Sequence, residues 1–145
     1  MSMNLSNSCK ILEHIPTTAT GTTTINGNTV DMAGFDSVLF IIKYSTAANN
    51  NTLKAQQGQA SNMSDAADLA GTSVTVGASD EIVWIDLHRP QERYVRAAAL
   101  RGTTTVIEWA VAIQYNAHAA KLPISNALAG TIAGELWISP AEGTA

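Results

Sequence analysis

The residues that could do chemistry in this chain are few and widely spaced. Three histidines, His14, His88 and His118, show none of the short spacings that metal ligands use. They read as surface or hydrogen-bonded histidines. The single cysteine, Cys9, has only Lys10 beside it to lower its thiol pKa. It reads as a small, half-buried residue on a first strand. One cysteine also excludes an internal disulfide framework and a multi-cysteine zinc site. Glu81 and Glu108 fall on predicted strands, each close to a tryptophan, Trp84 or Trp109. Paired carboxylates beside aromatic platforms are a glycosidase arrangement. However, alternation puts Glu108 on the face opposite Trp109, with Ala110 and Ala112, and the chain has few residues to spare for a cleft. Both glutamates are therefore expected at a rim, paired with arginines, and Trp84 and Trp109 in the core. Asp65 and Asp68, with Ser61, Asn62 and Ser64, supply oxygens of the kind that bind calcium, but not at EF-hand spacing. A solvated loop is the expectation. No glycine-rich phosphate loop is present. The residues thus point away from an enzyme and imply no cofactor or metal.

The bulk composition narrows the classes further. The chain has 145 residues, a single domain's worth, and can bury a core without a disulfide or metal. Charged residues make up 14% and hydrophobic residues 46%, with Ala, Thr, Ser, Asn and Gly filling the rest. Low charge with ordinary hydrophobicity argues against disorder. It argues for surface that something else covers, because isolated soluble domains carry more charge. The net charge of −4 and the eight lysines and arginines give no basic patch. The one concentration, Arg89, Arg93, Arg96 and Arg101, is broken by Glu92 and apolar residues, so no nucleic-acid partner is expected. The longest aliphatic stretch, Val38 to Ile42, is too short to cross a bilayer. The first residues are polar and lack the apolar region of a secretory signal. No membrane partner is expected, and assembly in a cytoplasm is.

The dominant local pattern is β. Cys9 to Ile15 alternates and ends at Pro16, a first strand. Asn26-Gly27 is a hairpin-turn dipeptide, set between Thr22–Ile25 and Asn28–Met32. Ser37 to Tyr44 is apolar on both faces and reads as a central strand, with Val38, Phe40, Ile42 and Tyr44 on one side. Leu53 to Gln57, Ser73 to Val76, Glu81 to Leu87 and Arg93 to Leu100 follow as strands. Thr103 to Tyr115 is the longest, with Thr105, Ile107, Trp109, Val111, Ile113 and Tyr115 facing one way. Short strands with turns at this spacing predict an all-β fold, an antiparallel β-sandwich of jelly-roll type with extended N- and C-terminal arms. The division is residues 1–29 for a first strand and Thr-rich arm, 30–116 for the sandwich core and 117–145 for a C-terminal arm or added strand.

Several pieces, in order, resemble a family. Val30-Asp31-Met32-Ala33-Gly34-Phe35-Asp36-Ser37-Val38 is similar to the opening of small structural proteins encoded in tailed-phage morphogenesis regions. The strand Leu39–Tyr44, the strand Leu53-Lys54-Ala55-Gln56, the acidic loop Ser61–Leu69 and Arg93-Tyr94-Val95-Arg96 follow in the family's order. So does a long last strand with a proline exit, Thr104–Pro123. The resemblance covers residues 30–123 and stops short of the C-terminal end. It implies a non-enzymatic virion protein.

An arginine within a sheet can hold a carboxylate through two parallel hydrogen bonds. Asp31, Asp36, Arg93, Tyr94 and Arg96 are therefore expected to form a structural clamp. Thr17, Thr18, Thr20 and Thr22 of the Thr-rich segment, and Leu122, Pro123, Leu136, Trp137 and Ile138 of the tail, are the expected interface arms. The leading expectation is a capsid decoration, or cement, protein on the surface of a phage head. Its partners would be the major capsid protein and copies of itself, as a homotrimer. A head–tail connector, tail or fibre-associated component is the alternative within a virion. A carbohydrate-binding module with a tryptophan platform is the alternative outside it.

Overall fold

The computed structural model describes residues 4–47, 50–126, 131–136, 138–139 and 141–144. A one-turn helix, α1 (Leu5–Ser8), leads into ten strands: β1 (Lys10–Ile15), β2 (Ile25–Asn26), β3 (Val30–Asp31), β4 (Phe35–Thr46), β5 (Asn51–Gly58), β6 (Ala67–Asp68), β7 (Val74–Val76), β8 (Ile82–His88), β9 (Tyr94–Arg101) and β10 (Val106–Ala117). A 3-10 turn at Ala119–Lys121 follows. The strands form two antiparallel sheets. One has the order β1-β10-β4-β8. The other has the order β2-β9-β5-β6, with β3 also on β9 and β7 also on β5. They pack face to face as a sandwich.

The core follows from alternation on each sheet. Val38, Phe40, Ile42 and Tyr44 of β4 and Val83 and Ile85 of β8 point inward from the first sheet. Leu53, Ala55, Val76, Val95, Ala97 and Ala99 meet them from the second. Ala97 and Ala99 face the core and Ala98 the opposite side, and alanine's helix preference is overridden by the ladders on both edges of β9.

Two expectations fail in the sheets, each for a local reason. Ile107 is buried, but the pairing of β10 with β4 slips between Ile107 and Trp109. A bulge of this kind flips every later side chain to the other face. Ala110, Ala112 and Gln114 therefore face the core, while Trp109, Val111, Ile113 and Tyr115 face out. Trp84 lies on the outer face as well, 62% exposed, and Trp109 is 38% exposed. Neither tryptophan is in the core.

Asn26-Gly27 does not turn a hairpin. β2 and β3 lie end to end along β9, at Ala98–Ala99 and at Tyr94–Val95. Between them the Gly27 amide donates to the Ala97 carbonyl at 2.9 Å. A Cβ at Gly27 would overlap the His14 imidazole. The glycine is there for clearance and not for a turn.

Candidate functional site

The clamp residues divide among separate partners. Arg93 holds Asp31 with two parallel bonds, Nε to Oδ1 at 2.9 Å and Nη2 to Oδ2 at 2.8 Å. Register places Asp31 against Tyr94 on β9, and the Arg93 guanidinium lies 5.2 Å from the Tyr94 ring centre. The Arg93 hydrogen bond holds the Asp31 carboxyl below the usual carboxylate range. Arg96 meets no carboxylate: its Nε donates to Gln56 Oε1 at 2.8 Å across the β5–β9 ladder. Asp36 pairs with His118 at 3.0 Å, and that bond lowers its pKa. Gln114, facing inward, donates to the Asp31 carbonyl at 2.7 Å and ties the sheets behind the Arg93 pair. Asp31, Asp36, Arg93 and Arg96 are thus each engaged in internal bonds at this end of the sandwich.

The Thr-rich segment is bound to its own sandwich and does not project as an arm. Thr17 Oγ1 donates to the Glu108 carbonyl at 2.6 Å, and Thr18 Oγ1 accepts from the Ile107 amide at 2.9 Å. Gly21 bridges Thr105. Arg101, 6% exposed, reaches across to the carbonyls of Thr23 and Ala19, at 2.6 and 2.8 Å, and to Thr23 Oγ1 at 2.8 Å. Thr20 and Thr22 are exposed within this stapled segment. Arg101 was not foreseen as a staple. Its only sequence signal is a charge closing the apolar run Ala97–Leu100, just before Gly102.

The tail begins the same way and then changes. Leu122 packs on the core, Pro123 follows a cis peptide bond, and Ile124 is buried. Asn126 accepts from the Ile11 amide at 2.8 Å and donates to the Ser6 and Cys9 carbonyls at 2.9 Å each. Further on, Thr131 and Ile132 line a recess with Trp109, Val111 and Glu13, over the β1–β10 half of the outer face. Leu136 is 45% exposed and Ile138 93% exposed. Trp137 lies outside the described residues.

Among the described residues the other half of that face is bare. The rungs Val111–Ile41–Trp84, Ile113–Leu39–Asp86 and Trp109–Lys43–Ile82 run across β10, β4 and β8. Leu39, Ile41, Ile82 and Trp84, with Asp86, line an open recess of about 430 Å³. Ile82 is 56% exposed. The one carboxylate in the recess is already engaged, because the Tyr115 hydroxyl donates to Asp86 Oδ1 at 2.6 Å. That bond raises the Tyr115 pKa.

The remaining candidates are dispersed. His14 is buried, stacked at a tilt on Phe40 with centroids 4.6 Å apart. His88 pairs with Ser37 at 2.8 Å. Cys9 is 2% exposed, more buried than expected, and burial pushes its thiol pKa up. Glu81 Oε2 accepts from the Gly77 amide at 3.0 Å. Asp65 accepts from the amides of Gln59 and Ala60, and Asp68 from Lys54 and Gln56. Among the described residues no three metal-ligating side chains converge. No helix among them is long and apolar enough to cross a membrane.

No protein family's sequence model and no curated protein matches the chain. A solved structure does: the crystal structure of PBSX exported protein XepA is similar over 98% of this chain, with a TM-score of 0.55 and 18% identity. The chain spans 46% of that protein's length, and at this identity the likeness is one of fold.

Proposed function

We propose that the chain is a non-enzymatic structural protein of a tailed-phage particle, a capsid decoration protein that reinforces the head through contacts with the major capsid protein and with copies of itself. The observation that carries this reading is the bare apolar half of the first sheet: Leu39, Ile41, Ile82 and Trp84, with two of them more than half exposed. A large apolar side chain left in water forgoes about 1.5–3 kcal/mol, so a patch of this kind marks a protein contact. The low charge of the whole surface supports the same reading. So does the order of short motifs shared with phage structural proteins over residues 30–123. The fold shared with PBSX exported protein XepA is compatible with it. The experiment is an electron-microscopy count of copies per particle. Hundreds on each head support decoration. A dozen or fewer at the neck or tail replaces it with the connector or tail reading, and none on any particle refutes the virion assignment.

The exposure of Trp84 and Trp109 favours one other reading, a glycan platform. Sugar binding needs polar groups around the stacked ring. The Trp84 recess has only Asp86, which Tyr115 already occupies. A protein partner fits it better, and a glycan array with hits that Trp84→Ala abolishes would reverse this.

A further inference from the structure

We infer that the free edge of β8, beside the bare half of the first sheet, takes up the C-terminal segment of a second copy of this chain as an added strand, with Leu136 and Ile138 set against Ile82 and Trp84. The inference deepens the self-contact in the decoration reading, but it stands on the chain's own geometry.

The free edge comes first. Among the described residues β8 ends its sheet and pairs with β4 alone. The Arg89 amide donates to the Asp36 carbonyl, and the Tyr44 amide to the Glu81 carbonyl. These bonds extend the β4–β8 register, in which Val38 faces Leu87, Phe40 faces Ile85 and Ile42 faces Val83. Hydrogen-bonded pairs alternate along an antiparallel ladder. Leu87, Ile85 and Val83 therefore bond to β4, while Ile82, Trp84, Asp86 and His88 turn their backbone groups to the open side. Trp84 and Ile82 add exposed apolar side chains beside that edge. An edge of this length and apolarity is a template for another strand.

The occupant is on the same chain. The segment from Glu135 to Ser139 sits between Gly134 and Pro140. In an extended strand Leu136 and Ile138 share one face, which would meet Trp84 and Ile82 on the outer side. Both are exposed where they stand, Ile138 almost completely.

The contact cannot form within one copy while the tail keeps its place. Leu136 lines a recess with Ile11 of β1. From β1 to β8 there are three strand spacings, about 14 Å at ~4.8 Å each. Ile138 lies two residues beyond Leu136, a reach of about 7 Å. A donor surface at one end of the sheet and an acceptor at the other make a head-to-tail contact, which closes into a ring or continues as a filament.

The test is light scattering on the full chain and two full-length variants, Ile138→Asp and Trp84→Glu. Both positions are largely exposed, so each monomer should keep its circular dichroism and melting temperature. Ile82→Lys serves as a second acceptor variant if Trp84→Glu unfolds. The parent should be an oligomer and each variant a 15.2 kDa monomer. Mixed, the variants should form a 1:1 dimer, because Ile138→Asp keeps its acceptor and Trp84→Glu its donor. Three results overturn the inference: a monomeric parent, an Ile138→Asp variant that oligomerises like the parent, which would point to β8 pairing with itself, or two monomeric variants that do not complement. A ring that forms but never binds particles keeps this inference and removes the decoration reading.

Discussion

His14 Nε2 accepts the Ala97 amide hydrogen bond at 2.9 Å, from one sheet of the sandwich to the other. In the β9 ladder that amide falls in the gap between β2 and β3. An imidazole from β1 thus fills a missing rung. The bond fixes the tautomer, because a nitrogen that accepts an N–H carries no proton of its own. The proton sits on Nδ1, which is buried with no hydrogen-bond partner among the described residues.

Acid should therefore destabilise the protein through His14. Burial, the largest cause, lowers the His14 pKa from 6.5 to about 4. The unfolded chain takes up a proton that the folded chain refuses, so this contribution is complete above pH 6.5 and lost as pH falls toward 4. The difference is worth about 3 kcal/mol at most. Melting temperature should drop over that window. In His14→Gln, whose amide oxygen can still accept from Ala97, the drop should flatten. An equal slope in both proteins would show that other groups titrate there.

Gly27→Ala should destabilise by about 1–3 kcal/mol, the usual cost of forcing a methyl into a filled space. The added Cβ meets the His14 ring. Urea denaturation measures it. If Gly27 served only a turn, alanine would cost less than that.

Arg101→Met should cost about 2–3 kcal/mol, because charge-assisted bonds to the carbonyls of Thr23, Ala19 and Thr105 are lost together. Amide exchange should accelerate across Ala19–Thr24, which Arg101 pins. Unchanged exchange there would mean the threonine bonds alone hold the segment.

The two arginines of Arg93-Tyr94-Val95-Arg96 should behave differently. Arg93 pairs with Asp31 in the open, at 58% and 45% side-chain exposure, where ion pairs contribute little. Arg93→Ala should leave the melting temperature nearly unchanged. Arg96 is half-buried, and losing its bond to Gln56 should cost about 1 kcal/mol. Thermal melts of the two variants would show the order.

Strand positions were legible because β4 and β8 are runs rich in β-branched and aromatic residues between turn residues. Phase was less so. The bulge at Ile107–Trp109 leaves no mark in residue type, so the exposed tryptophan could not be separated from a buried one. Trp84 misled differently: its alternation was right, but the choice of inward face went to the larger side chain instead of to Val83 and Ile85. Asn26-Gly27 misled because glycine's two uses, positive φ and clearance, look identical in sequence, and only the distant His14 distinguishes them. The Asp31–Arg93 pair was among several carboxylate choices, and strand register selected it.

The most direct test of the central claim is co-sedimentation of the purified chain with phage heads that lack it, beside Trp84→Glu as a folded control. The account predicts saturable binding at hundreds of copies per head, weakened at least tenfold in the variant, which corresponds to about 1.4 kcal/mol. No co-sedimentation of the parent protein, or equal binding of the variant, would contradict it.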